Sequence, residues 1–198
     1  MSKLLAETSS SFDDYLRDEA GRQRRHEFVN GHIWAMAGGS VAHNLITLNI
    51  AGTLRAQTSK PCAIFASDMK LRVESNAYYP DVMASCQKLE LSSHWIDQPC
   101  VIAEVSSLST DTFDNTVKLK QYRRIKSLET YLLVATDMMA VSAHQRAGEL
   151  WTSQIYSAGE QIALPCLDME LSVDAIYAGL DLPSVDEVIA AQREKARE

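Results

Sequence analysis

Residues 101–122 read VIAEVSSLSTDTFDNTVKLKQY. Val101, Ile102, Ala103 and Val105 form a nearly unbroken apolar run, the pattern of a central strand covered on both faces. Glu104 interrupts it. A carboxylate in such a strand costs several kcal/mol unless something pairs with it. An arginine or lysine can pair with it in a purely structural ion pair; alternatively the acid belongs to a functional site, where perturbed acids concentrate. The following segment predicts a helix over 110–126, opened by Thr110 or Asp111. At about 100° per residue, Lys118 falls on the same face as Tyr122 and Ile125, whereas Lys120, Arg123 and Arg124 project to other sides. Lys118 thus interrupts an apolar face on the helix directly after the Glu104 strand. Its ammonium either snorkels to water or reaches back to the acids at the edge of the sheet.

A second acid stands in a similar setting upstream, in YYPDVMASC at 78–86. Pro80-Asp81 on its own reads as turn chemistry. The apolar VMASC after it instead puts Asp81 at a strand entrance. Around this pair the chain falls into order. Residues 11–20 predict a short helix capped by Ser11, with acids in its first turn. HEFVNGHIWAM (26–36) holds Asn30-Gly31 between two strand-like segments, a hairpin signal because both residues tolerate positive φ. Residues 40–57 recur apolar at Val41, Leu45, Leu48, Ile50 and Leu54 behind a Ser40 cap, predicting a well-buried helix. PCAIFA, MKLRV, YPDVMASC and CVIAEV are strand candidates, separated by ESNA and by the loop QKLELSSHWIDQP. ETYLLVA, AVSAHQ, ELWTSQIYS and IAL add further strands, and a short helix falls near 172–178. The charged end, 184–198, reads as a helical or frayed tail. The whole predicts an α/β or α+β fold, a mixed central sheet flanked by helices, with an N-terminal hairpin and extra C-terminal strands.

Composition sets the outer bounds. A chain of 198 residues, 46% hydrophobic and 23% charged, suits a single domain over 1–198 with a substantial core. No stretch approaches the roughly 18 apolar residues that span a membrane, and the N-terminal segment has no apolar core of a signal peptide; a cytoplasmic protein is expected. Cys62, Cys86, Cys100 and Cys166 are scattered without a C-x-x-C pair, so the expectation is reduced, mostly buried thiols. The histidines lack H-x-H and H-E-x-x-H spacing, which argues against structural zinc. The net charge of −7 argues against a surface coated with nucleic acid, yet leaves room for local basic strips. VKLKQYRRIK (117–126) is the densest strip and GRQRRH (21–26) a smaller one, each otherwise a solvated face.

Two carboxylates and a lysine make a recognisable tool. Asp and Glu oxygens suit Mg²⁺, which keeps several waters and binds a phosphate oxygen. Bound metal activates water and neutralises phosphodiester charge, while a lysine stabilises the transition state.

Several segments together carry a resemblance: HEFVNGHIWAMAGGSVAHNLI, SDMKLRV, YYPDVMASC, and VIAEVSSLSTDTFDNTVKLKQYRRIKSLETYLLVATD. Over roughly residues 12–178 the chain resembles the bacterial putative restriction endonuclease family of the PD-(D/E)XK nuclease superfamily. The resemblance implies a restriction-endonuclease-like core. It makes Pro80-Asp81 the PD element and Glu104 the second acid. The superfamily lysine would stand at Ser106, so the resemblance shifts that role to Lys118 on the next helix. It also matches Glu27 to a further acidic position, giving Asp81, Glu104 and Glu27 as metal carboxylates and Lys118 as the basic catalytic group. His43 and Asp68 match family-typical polar positions without an assigned chemistry. The expectation is a Mg²⁺-dependent (or Mn²⁺-dependent) DNA endonuclease, with Lys120, Arg123 and Arg124 on phosphates and a homodimer as the assembly. The alternative is a catalytically silent module of the same fold that binds nucleic acid or a protein partner, which Ser106 favours.

Overall fold

Asn30 and Gly31 turn the chain with φ of 51° and 80°, joining strands β2 (His26–Val29) and β3 (His32–Ala35) in the expected hairpin. A computed structural model describes residues 4–8, 11–36, 38–59, 61–106 and 112–196 of the chain, with side chains described from residue 11 and, in the last segment, from residue 116. Strand β1 (Leu4–Thr8) pairs with β3. Helix α1 (Phe12–Glu19) starts at Ser11, whose hydroxyl accepts from the Asp14 amide. Helix α2 spans Val41–Gln57 behind Ser40, which accepts from the His43 amide. Strands β4 (Ala63–Ala66), β5 (Lys70–Val73), β6 (Asn76–Tyr78), β7 (Val82–Ser85), β8 (Trp95–Ile96) and β9 (Val101–Ser106) come next, then helix α3 (Thr112–Tyr122). The rest comprises β10 (Thr130–Ala135), β11 (Ala140–Ala147), β12 (Leu150–Ser157), β13 (Gln161–Leu164), a 3₁₀ turn at Pro165–Leu167, β14 (Met169–Ser172), α4 (Val173–Ile176) and α5 (Val185–Lys195).

The strands form two six-stranded sheets, ordered β1-β3-β2-β6-β5-β8 and β12-β11-β10-β9-β7-β4, plus the β13-β14 pair. The second is the mixed sheet anticipated from the sequence: β9 and β10 run parallel, with α3 as their crossover, and the other pairs are antiparallel. Alternation along β9 sends its side chains into two separate cores. Val101, Ala103 and Val105 pack with Ile46, Ile50 and Leu54 of α2 in one, while Ile102 packs with Tyr122, Tyr131 and Leu71 in the other. Glu104 shares the face of Ile102, because side chains two apart on a strand point the same way.

Four expectations need correction. Val41, Leu45 and Leu48 of α2 are exposed; the buried stripe is Ile46, Thr47, Ile50 and Leu54, one turn apart on the side facing the sheet. Helix α3 ends at Tyr122 rather than at residue 126. There, Arg124 and Ile125 donate backbone bonds in i→i−3 turns, and Arg146 of β11 donates to the carbonyls of Arg123, Ile125 and Leu128. A guanidinium fork thus takes up carbonyls that would otherwise need another turn of helix. The helix opening assigned to Thr110 or Asp111 lies outside the described residues. Two short strands, β6 and β8, occupy segments expected as loop. Finally, the cysteines are not separate reduced thiols. Ala63 pairs with Ser85 across β4 and β7, and the Cys100 amide donates to Ala84. Strand register therefore gathers the sulfurs, and they are joined as Cys62–Cys86 and Cys100–Cys166.

No described helix is long and apolar enough to cross a membrane.

Candidate active site

Antiparallel pairing of β7 with β9 matches Val82 to Ala103, which brings Asp81, just ahead of β7, beside the Glu104 end of β9. The Val105 amide donates to Asp81 Oδ2 at 2.8 Å, so the strand ladder itself holds this carboxylate. Its other oxygen, Oδ1, faces His43 Nε2 at 3.1 Å. His43 is presented from the first turn of α2, whose entry is fixed by Ser40. His43 is held toward its protonated form mainly by the hydrogen bond to Asp81, against desolvation.

Glu104 is buried, 7% exposed, and both its oxygens are engaged. Lys118 Nζ donates to Oε2 at 2.9 Å, and the Tyr122 hydroxyl donates to Oε1 at 2.8 Å. Lys118 and Tyr122 lie one helical turn apart on α3, so one face of the helix delivers both donors. Tyr122 is clamped by edge-on contacts with Tyr78 and Tyr131, ring centroids 5.3 and 5.2 Å away. Glu27 comes from the other sheet: it lies on β2, is 1% exposed, accepts from the Tyr79 amide at 3.4 Å and stands 3.4 Å from Lys118 Nζ. One buried ammonium thus bridges two buried carboxylates from two different sheets.

Of the residues singled out from sequence, Asp81, Glu104, Lys118 and Glu27 come together, and His43 joins them. Asp68 does not: it pairs with Arg25 at the surface. Lys120 is exposed on α3, and Arg123 and Arg124 are exposed in the turns beyond it. Arg123 lies over the Trp151 ring, and Arg124 pairs with Glu74 at 2.8 Å. Ser106 ends β9, and Lys118 from α3 supplies the ammonium beside the acids. Sequence reasoning passed over Tyr122 as a site residue, although the same helical face that singled out Lys118 carried it.

Burial pushes the Glu104 carboxyl up to about 7; the Lys118 ammonium opposes this, while Asp81 and Glu27 add to it. The Tyr122 hydroxyl is pushed well above its ordinary range, again by burial first and by Glu104 next, so it remains a donor. The folded protein therefore binds the Glu104 proton more tightly than the unfolded chain. Between about 4.5 and about 7 the native state carries more protons at this residue. Its contribution to stability accordingly falls as pH rises through that window and levels off above it. In chelator-treated protein, wild type minus Glu104→Gln should show this slope in denaturation free energy, on the order of 3 kcal/mol across the window. A difference independent of pH between about 5 and about 8 would count against a raised Glu104.

Oxygen donors of this type suit a hard divalent cation that keeps much of its water and binds through one or two carboxylates plus phosphate. Asp81 and Glu104, on neighbouring strands, fit that description. Among the described residues, no three or more His, Cys, Asp and Glu side chains stand arranged to hold one ion. Glu27 faces the lysine instead of completing a three-carboxylate cage.

Residues 12–175 match the family described as Uma2, "Putative restriction endonuclease". Two proteins of Synechocystis sp. are similar along most of their length. The uncharacterized protein slr1290 is 31% identical over 174 residues, covering 85% of this chain and 91% of its own. The uncharacterized protein sll1609 is 34% identical over 142 residues, covering 69% and 80% respectively. Among solved structures, a putative nuclease belonging to DUF820 from Anabaena variabilis superposes with a TM-score of 0.70 at 12% identity, covering 86% of this chain and 98% of that one. At that identity the superposition speaks for the fold.

Proposed function

Because the chain belongs to the Uma2 family of putative restriction endonucleases, we propose that it is a divalent-metal-dependent endonuclease that hydrolyses DNA phosphodiester bonds. The observation that carries this reading is that two buried acids, Glu27 and Glu104, flank one buried lysine, with Asp81 held beside them by the Val105 amide. A structural ion pair needs one acid per lysine, whereas this site holds more acids than its lysine can pair, the arrangement that a bound cation relieves.

Asp81 and Glu104 would hold Mg²⁺, or Mn²⁺ in its place. When bound, the metal supplies charge neutralisation at the phosphate and a water of lowered pKa. The chain's own residues do the rest. His43 orients the Asp81 carboxylate from the α2 side, and the Val105 amide fixes it from the strand side. Tyr122 and Lys118 position the two oxygens of Glu104. Lys118 takes the part that the superfamily gives to a lysine at the Ser106 position: its ammonium orients the attacking water and stabilises charge on the phosphoryl oxygens. Glu27, the third acid assigned to the metal from sequence, acts in this reading through Lys118, keeping its ammonium between the acids. Lys120 and Arg123 are the exposed cations for DNA phosphates, with Arg124 joining when it leaves Glu74; such contacts position DNA without reading sequence. A cut in both strands calls for two copies, for which a symmetric pair is the simplest assembly.

The test is cleavage of plasmid and single-stranded DNA with Mg²⁺ or Mn²⁺ added. Cleavage that a chelator abolishes and added metal restores is expected. Cleavage that survives exhaustive chelation would refute the metal assignment.

A further inference from the structure

The strands that carry the acids carry a second cluster at their other end. Cys86 follows β7 directly and Cys100 precedes β9 directly, while Asp81 and Glu104 lie at the opposite ends of the same strands. At about 3.3 Å per residue the two clusters are roughly 15 Å apart. Cys62 stands before β4, the next strand of the sheet, and Cys166 lies in the 3₁₀ turn between β13 and β14. All four cysteines of the chain, 24 and 66 residues apart within the two pairs, meet here. Cys86 Sγ lies 3.8 Å from Cys100 Sγ, linking the two disulfides into one group of four sulfurs. It also lies 3.5 Å from the Cys166 carbonyl oxygen. Cys100 is buried and the other three are half-buried, so small reagents have a route in.

Four sulfurs from four separate points of the chain exceed what a cross-link needs; either disulfide alone would tie its segments together. Tetrahedral zinc with sulfur ligands at about 2.3 Å places neighbouring sulfurs about 3.8 Å apart, the separation already present between Cys86 and Cys100. Cys62, Cys86 and Cys100 come from the ends of three adjacent strands, β4, β7 and β9, and Cys166 closes the group from the 3₁₀ turn.

We propose that the four cysteines form a redox-gated metal site: two disulfides when oxidised and, when reduced, a tetrathiolate centre for one thiophilic divalent cation of the zinc type. The chemistry balances with a dithiol as reductant. Each disulfide accepts two electrons and two protons from one dithiol, which becomes a disulfide itself. The four resulting thiols then give up four protons as they bind the cation. Oxidation reverses this, returning two disulfides and releasing the ion. While paired, the sulfurs offer no ligand set. Oxidised, the disulfides join the 165–167 turn to the start of β9 and β4 to β7; with metal bound, one centre would fasten the turn to the ends of all three strands. It stands independently of the nuclease reading, since it shares no residue with the carboxylate site.

Cobalt is the probe, because thiolate ligation gives it a charge-transfer band that carboxylate ligation does not. The full chain, reduced with a phosphine under anaerobic conditions, is titrated with Co²⁺. Expected are one equivalent of thiolate-bound cobalt, displacement by Zn²⁺, and loss of the band on oxidation to two disulfides. Cys86→Ser and Cys166→Ser should each lose most of the band, and Glu104→Ala should keep it. Because a serine variant can misfold, circular dichroism is recorded on each, and zinc release is also followed in the unmutated protein as its thiols are titrated with a mercurial. One zinc released per four thiols is expected. A folded protein with four titratable thiols and no thiolate-to-cobalt band would overturn the proposal, as would a band that Cys86→Ser leaves intact.

Discussion

Lys118→Ala should destabilise the protein by about 3–5 kcal/mol, measured as a shift in denaturation free energy with chelator present. The lysine is 6% exposed, and its ammonium lies 2.9 Å from Glu104 and 3.4 Å from Glu27. Truncation would leave two buried carboxylates facing one another with no cation, and burying an unpaired charge is among the few ways a single substitution costs this much. Neutralising the whole cluster shows whether charge is the cause. Glu27→Gln and Glu104→Gln combined with Lys118→Met should recover most of the loss, because replacing every member of a buried charge cluster with neutral groups of similar size is commonly near neutral. The amide carbonyl introduced by Glu104→Gln would still accept from Tyr122. The triple variant should be folded and inactive. If Lys118→Ala costs less than about 1 kcal/mol, in the range of exposed ion pairs, the lysine is not the keystone of a buried charge cluster.

Asp81→Asn should retain the fold and lose at least about 10²-fold in kcat/KM for DNA cleavage, the scale on which removing one electrostatic contributor acts at a reacting centre. This side chain has two separable jobs. Its strand job, accepting the Val105 amide at 2.8 Å, needs only an oxygen, and the Asn carbonyl provides one. Its proposed metal job needs the negative charge, which Asn lacks. Near-wild-type stability with lost cleavage and lost Mn²⁺ binding by calorimetry is therefore expected. An Asn variant that cleaves normally would place the metal elsewhere.

Much of this arrangement is legible in the residues. Asp81 and Glu104 can be picked out because each sits beside an apolar run where a carboxylate is costly. Lys118 stands out because helical periodicity puts it on the apolar face. Those are local signals, and the structure shows all three side chains at one place. Glu27 has no such signal: it sits in HEFV ahead of a hairpin, and only the family resemblance raises it. His43 acquires its position from the fold, since the entry of α2 and the start of β7 are close only in space. The cysteines mislead for the same reason. Their spacing suggests nothing, and strand register across β4, β7 and β9 brings them together. Short elements are hidden by their own composition: Asn76–Tyr78 begins with a turn-forming residue, although the turn itself falls at Glu74–Ser75, with Glu74 at φ 54°. Helix α3 stops early because a distant guanidinium, Arg146, takes up the carbonyls beyond its end.

The excess of buried acids around one lysine is a mechanism only if those acids cut DNA. The most direct measurement compares wild type with Glu104→Ala on plasmid DNA, at equal folded concentration, with Mg²⁺ and then Mn²⁺. The expected result is metal-dependent nicking or linearisation by wild type, and none above background by the variant. Full activity in Glu104→Ala would contradict the assignment of this site.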